Sequence, residues 1–338
     1  MLFKKRNPYY NPAKSHHTPY GFCNLEPTVI KPLEVYRWNW ERHIHHLPKP
    51  PQNGYEHFAR DWYQKPDFTL SGNRLWWISH ATLLIRLQQC TIITDPVFSQ
   101  RVSPVTFAGP KRRTQPAASI AQLPSVDVIA LSHNHYDHLD KASIRQLAER
   151  FPSITAVVPL GLKNKLERMG VRNVIELDWW EQVTIKDIRF HAVPAHHWSQ
   201  RGIFDRNHTL WCSWIMQTAA GSTTYFSGDT GFSEMMFRQI AERFAPIDMA
   251  AIQTGAYAPR WFMHNQHIDP YQAVTIFQIL QCRQAVGMHW GAFELADEPI
   301  DEPPQLLAQA CEQQQLDNSR FESIKMGASR PIPDLIKQ

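Results

Sequence analysis

The chain has 338 residues, 43% of them apolar, which is ample for a buried core and excludes fibrous, collagen-like and wholly disordered classes. Lys and Arg total 35 against 31 acids, and the net charge of +4 carries no nucleic-acid-binding excess. Five scattered cysteines (Cys23, Cys90, Cys212, Cys282, Cys311) without a CxxC pair fit a reducing compartment better than a disulfide framework.

Residues 1–70 are rich in Pro, His and aromatics, as in NPYYNPAKSHH and YRWNWERHIHHLPKPPQNGYEHF, and read as an arm that packs on the domain or faces a membrane. Within it, Glu34 to Leu47 reads as a short helix stopped by the proline cluster from Pro48 to Pro51. The first residues, MLFKKRNPYYNP, contain no apolar signal region, and no apolar run is long enough to span a bilayer. The expectation is a cytoplasmic protein.

From Leu75 onward, short apolar runs recur between turns and helical stretches. LWWIS, TLLIRL, CTIITD, VDVIALS, TAVVP, VTIKDIRFHAV, LWCSWIMQ, STTYFSG, IDMAAIQTG and QAVGMHW read as strands. Helices are expected near 140–150, 161–169, 232–244, 270–282 and 303–314. Early strands follow one another closely and later ones alternate with helices, which predicts a layered α/β or α+β sandwich. One domain over 71–330 follows, with 331–338 as a tail.

The chemistry concentrates in Leu131-Ser132-His133-Asn134-His135-Tyr136-Asp137-His138-Leu139-Asp140, where an apolar run stops. His133 and His135, two apart in an extended turn, point the same way, while Asp137 and His138 face a neighbouring position. Imidazole with carboxylate at this density suits zinc or another borderline transition metal. The pattern of a polar donor closing an apolar run recurs: HAVPAHHW brings His196 and His197, STTYFSGDTG brings Asp229, and QAVGMHWG brings His289. With one histidine from the pair, whichever it is, these are seven donors. Seven suits two metals sharing a carboxylate, not one closed structural site.

HNHYDH resembles the HxHxDH signature of the metallo-β-lactamase superfamily. Together with SHATLLI, TDPVFSQRVSP, GPKRR, VPLGL, VIELDWWE, HHWSQR, GDTG, GAYAPRWFM, QHIDP and HWGAFELADE, the chain from about 72 to 330 resembles the N-acylphosphatidylethanolamine-hydrolysing phospholipase D family. The resemblance implies a four-layer αββα sandwich. It implies one Zn2+ on His133, His135 and His197, a second on Asp137, His138 and His289, and Asp229 as the bridge. His197 is chosen over His196 because the family's histidine immediately precedes the Trp. Asp137 and His267 take the catalytic roles, His267 by likeness to a histidine near the substrate, with helix capping by its neighbour Asp269 the alternative. His80 and Asp95, at early strand ends, read as partners that orient the donors, with a core hydrogen-bonded His80 as the alternative. Ser79 stands where the family's GHAT has glycine, and Thr106 and Phe107 where it can carry larger polar residues.

The implied reaction is phospholipase D-type hydrolysis of N-acylphosphatidylethanolamine to N-acylethanolamine and phosphatidate by a hydroxide shared between two metals. Phosphodiesters resist attack because the phosphate repels anions and the alkoxide leaves poorly, and paired cations relieve both difficulties. Alternatives with the same donors are a soluble lactonase or a small-molecule or nucleotide phosphodiesterase, and a non-catalytic metal-binding protein. The implied partner is a phospholipid or other phosphodiester met at the inner face of a membrane, helped by Arg37, Arg42, Lys49 and the run from Lys111 to Arg113. Monomer and homodimer stay open. Trp76, Trp77, Trp179 and Trp180 read as packing residues, while for Tyr36 to Leu47 packing and membrane interface weigh equally. His16, His17, His43, His45 and His46 read as surface residues.

Overall fold

The structure is a computed structural model that describes residues 6–28 and 32–333. Two seven-stranded mixed sheets face each other. One runs Ser329–Pro331, Arg74–Ser79, Thr82–Leu87, Cys90–Thr94, Val128–Ala130, Thr155–Pro159 and Asn173–Leu177. The other runs Phe321–Glu322, Gln284–Met288, Met249–Gln253, Thr223–Phe226, Ser213–Thr218, Ile188–Val193 and Gln182–Ile185.

Both faces of the central strands are covered, so Cys90–Thr94, Thr223–Phe226 and Met249–Gln253 are buried at every position, and the two-residue alternation sorts their side chains between layers. Leu75 and Trp77 point into the layer between the sheets with Phe190, Trp214 and Phe226. Trp76 and Ile78, one residue out of step, meet Ile144 and Leu147 of the helix Lys141–Arg150 on the outer face. On the second sheet Met249 and Ala251 face inward, while Ala250 and Ile252 meet the helices Glu234–Phe244, Pro270–Ile279 and Glu302–Gln313. The result is the expected helix, sheet, sheet, helix sandwich.

Parallel pairing runs through Cys90–Thr94, Val128–Ala130 and Thr155–Pro159 in one sheet and Thr223–Phe226, Met249–Gln253 and Gln284–Met288 in the other. Parallel strands deliver their carboxyl ends to one edge, where loops of open α/β sheets build sites.

Several sequence expectations are corrected. VTIKDIRFHAV is two strands, because Lys186 and Asp187 both take positive φ, 48° and 64°, and turn the chain into a hairpin pairing Ile185 with Ile188. That is the backbone of a two-residue primed turn, occupied here without the Asn-Gly or Asp-Gly signal. The helix expected to 282 stops at Ile279, just before Gln281 at φ 49°. The helix expected over 34–47 spans Pro32–Ile44, and Gly54–Asp61, Asn173–Leu177 and Arg260–Met263 add elements without a clear periodic signal.

His16 and His17 are buried, not on the surface. Their Nε2 atoms lie 2.7 and 2.8 Å from the two oxygens of Asp178, which also receives Lys14 Nζ at 2.6 Å. His16 stacks on Trp179. Burial alone would raise the Asp178 carboxyl, but hydrogen bonds from His16 and Lys14 hold it well below the ordinary carboxylate range. This carboxylate ties the first described segment to the sandwich. Replacing Asp178 with Ala leaves two buried imidazoles without their acceptor, so we expect a loss of about 3 kcal/mol. Urea unfolding gives the loss, and limited proteolysis should cut first within residues 6–28.

Candidate metal centre

The loop His133 to His138 leaves the strand Val128–Ala130 and enters the helix Lys141–Arg150, whose first turn is capped by Asp140 accepting the Ala142 N–H. Arg201 braces this loop: its Nη1 donates to the carbonyls of Asn134 and Leu139 at 2.8 and 2.7 Å. Its guanidinium lies 3.9 Å from the Tyr136 ring centre, and the Tyr136 hydroxyl donates back to the Arg201 carbonyl. Sequence reasoning gave neither residue a role.

Three nitrogens converge at the first position. His135 Nδ1 lies 2.8 Å from His133 Nε2 and 3.2 Å from His197 Nε2. The far nitrogens fix the tautomers. His197 Nδ1 donates to the Gln266 carbonyl at 3.0 Å, so its Nε2 carries a lone pair. Ser132 Oγ donates to Asp95 and accepts from His133 Nδ1 at 2.9 Å, so His133 Nε2 carries one too. A single hydrogen on His135 Nδ1 could serve only one of these lone pairs, and His135 Nε2 is a buried atom without a partner. A cation serves all three. Two nitrogens each about 2.1 Å from a tetrahedral zinc lie about 3.4 Å apart, close to the spacings found.

At the second position His138 Nε2 and His289 Nε2 are 3.2 Å apart, and Asp137 Oδ2 is 3.3 Å from each. Asp229 stands between the positions: Oδ2 is 3.1 Å from His138 Nε2, Oδ1 is 3.0 Å from His289 Nε2, and His133 and His197 lie 3.9 and 3.8 Å from Oδ2. His133, His135, Asp137, His138, His197, Asp229 and His289 thus fall in two adjoining sets, which fit cations by donor chemistry and spacing.

Asp95 accepts from the Ser132 N–H, the Ser132 hydroxyl and His138 Nδ1, aiming His138 Nε2 at the site. His80 places Nε2 3.2 Å from Asp137 Oδ2 and accepts the His289 N–H at its carbonyl. His80, Asp95 and His289 all have positive φ, 49°, 32° and 65°, strain that only a rigid surround maintains. Gly228, just before Asp229, has φ 55°, and a Cβ there would fall 2.6 Å from that of Ser132. His196 turns away, its Nε2 2.7 Å from Thr28 Oγ1. Asn24 from the first segment grips His197 instead, accepting its N–H at 3.0 Å and donating to its carbonyl at 2.9 Å. No sequence signal pointed to Asn24, because the pairing spans 173 residues.

The two sets differ in charge. Burial, followed for His133 by the neighbouring imidazoles, pushes His133 and His197 far below the usual histidine range and His135 to about 4, leaving all three neutral. Burial also opposes charge on His138 and His289, but Asp229 and Asp137 outweigh it, raising His138 well above its ordinary value and His289 to about 9.

Residues 91–290 match the family described as the beta-lactamase superfamily domain. The chain is 37% identical over 265 residues to N-acyl-phosphatidylethanolamine-hydrolyzing phospholipase D 1 of Caenorhabditis elegans, covering 74% of this chain and 73% of that protein. It is 37% identical over 226 residues to the mitochondrial N-acyl-phosphatidylethanolamine-hydrolyzing phospholipase D of Saccharomyces cerevisiae, covering 65% of this chain but 48% of that one. A metallo hydrolase from the archaeon Ignicoccus hospitalis shares the fold at TM-score 0.58 and 19% identity, over 77% of this chain and 98% of that one. Fold and site define a metal-dependent hydrolase of the metallo-β-lactamase superfamily. Within it, the chain belongs to the N-acylphosphatidylethanolamine-hydrolysing phospholipase D family.

Cation binding at pH 7 must displace the protons held on His289 and His138. We expect proton release when metal is added to metal-free protein in weak buffer, with the yield falling as pH rises through about 9, where His289 has already lost its proton. A pH-independent yield between 7 and 10 would contradict the charge assignment.

Proposed function

We propose that the protein is a dinuclear zinc phosphodiesterase that hydrolyses N-acylphosphatidylethanolamine. His133, His135 and His197 would hold one ion, Asp137, His138 and His289 the other, with Asp229 shared. Paired divalent cations would supply a water of lowered pKa and charge neutralisation at the phosphate oxygens. Attack by water on phosphorus breaks the P–O bond to the ethanolamine oxygen, releasing N-acylethanolamine and leaving phosphatidate. Asp95 behind His138 and His80 behind Asp137 keep the donors aimed, and the buried surround strengthens each charge interaction.

The observation that carries this reading is a broad, open cleft of about 740 Å³ beside His135 and Asp137, lined mainly by apolar groups, including Val102, Pro104, Trp198, Ile203 and Leu295. A small hydrophilic diester has no use for such walls, whereas acyl chains do.

A membrane approach is supported by what surrounds that opening. Phe107 and Ile203 are 81% and 82% exposed on its flanking loops, with Phe204 beside Ile203. On the helix Pro32–Ile44, Leu33, Tyr36, Trp40 and Ile44 fall at helical spacing and are exposed, while Trp38 pins the opposite side by stacking on Phe262 and donating to Asp297. Aromatic side chains so placed suit the headgroup zone, with basic neighbours adding about 1 kcal/mol each at an anionic surface. Among the described residues no helix is long and apolar enough to cross a membrane.

Zinc-loaded protein should release N-acylethanolamine from N-acylphosphatidylethanolamine and contain two equivalents of metal. Asp229→Asn should lose the second equivalent first and with it at least a hundredfold in turnover, because the carboxylate screening two dications is gone. Activity confined to lactones or cyclic nucleotides would favour the soluble alternatives, and zero metal with chelator-insensitive activity would end the dinuclear reading.

Replacing Trp40, Phe107 and Phe204 together with Ser should weaken sedimentation with anionic vesicles and lower turnover of vesicle-borne substrate about tenfold. Hydrolysis of a short-chain soluble diester should be unchanged. Equal losses on both substrates would show that these residues serve folding.

A further inference from the structure

Gln253 ends the strand Met249–Gln253, is fully buried, and reaches His267 from behind. Its orientation is determined by its neighbours. Oε1 lies 3.1 Å from the Thr230 N–H, which can only donate, and Nε2 lies 2.9 Å from the Gly255 carbonyl, which can only accept. The amide therefore cannot be turned over. Its second N–H then meets His267 Nδ1, and a donor there requires a lone pair on the ring nitrogen. The hydrogen of His267 must sit on Nε2.

The rest of the surround agrees. Arg260 Nη1 donates to the His267 carbonyl at 2.8 Å, and the Ile268 N–H donates to the Thr230 carbonyl at 2.9 Å, so Thr230 holds both Gln253 and the His267 segment. His267 Nδ1 is 3.9 Å from Asp229 Oδ2, too far for a hydrogen bond. The ring sits between His197 and His289, with centroids 5.2 and 5.7 Å away, and the side chain keeps 15% exposure. Among the described residues Nε2 has no hydrogen-bond partner, and it is not among the fully buried unpartnered atoms, so it is the nitrogen open to a ligand.

We propose that Gln253 is a positioning residue that locks His267 as an Nε2–H donor aimed at the substrate, making it neither a third cation ligand nor a proton acceptor through Nδ1. The acceptor would be a phosphoryl oxygen, and that part rests on the function proposed above. A hydrogen bond given by a fixed neutral donor costs no reorganisation as charge grows on that oxygen.

The test begins with the unmodified protein. Two-bond 1H–15N spectra of histidine-labelled protein, with the His267 signals identified by their loss in His267→Gln, should show the hydrogen on Nε2 with and without zinc. A hydrogen on Nδ1 overturns the proposal outright. Gln253→Glu keeps the acceptor for Thr230 but replaces the nitrogen that faces both His267 and the Gly255 carbonyl with an oxygen, so it should move the hydrogen to Nδ1. We expect kcat to fall about a hundredfold with KM within about twofold and metal content unchanged. Should Gln253→Glu fail to fold, Gln253→Met removes the donor at similar volume and should give a mixed tautomer population with a smaller fall in kcat. A shifted tautomer with unchanged kcat on every phosphodiester tried would overturn the positioning role. An Nε2–H signal in a protein that turns over a soluble diester but no phospholipid would support the lock and retire the lipid reading.

Discussion

His135 Nδ1 lies within 3.2 Å of both His133 Nε2 and His197 Nε2, beside a carboxylate that touches a second set, and most of the cluster is buried. Lone pairs and like groups brought together out of water repel, so such a cluster endures only where the surrounding chain cannot relax. Two sheets with both faces covered supply that rigidity. Three positions at the site, His80, Asp95 and His289, hold backbone angles that a less constrained loop would abandon.

Orientation propagates inward from residues behind the two donor sets. Asp95 is the clearest case, since one carboxylate fixes the Ser132 backbone, the Ser132 hydroxyl and the His138 ring. Through Ser132 it also reaches His133, which lies in the other donor set. The two sets are therefore coupled twice, in front through Asp229 and behind through Asp95. They remain unlike in charge, one of neutral imidazoles and one already balanced by acids, and that asymmetry should show in the order in which they fill.

What the sequence revealed follows a physical pattern. HNHYDH was legible because its donors are adjacent, and Asp229 and His289 because each closes an apolar run at a strand end. His197 against His196 needed family likeness, since both follow the same strand and only Thr28 and Asn24 separate their fates. Arg201, Asn24 and Gln253 were missed because their work is done through backbone groups and distant partners, which leave no periodicity. The hairpin at Lys186 and Asp187 was missed for the opposite reason, its strands being so regular that the turn between them carried no punctuation. The histidines at 16 and 17 looked solvent-facing because Asp178, which draws them inside, lies more than 160 residues away.

The clasp of Asn24 on His197 has a temporal side. On a ribosome the segment around residue 24 is made long before residue 197 exists, so its hydrogen-bonding groups must wait, solvated, while most of the first sheet is synthesised. The backbone of the third imidazole in the first set thus gains its two bonds to Asn24 only once segments 173 residues apart have met, a closure of high contact order whose entropy must be offset by the contacts it completes.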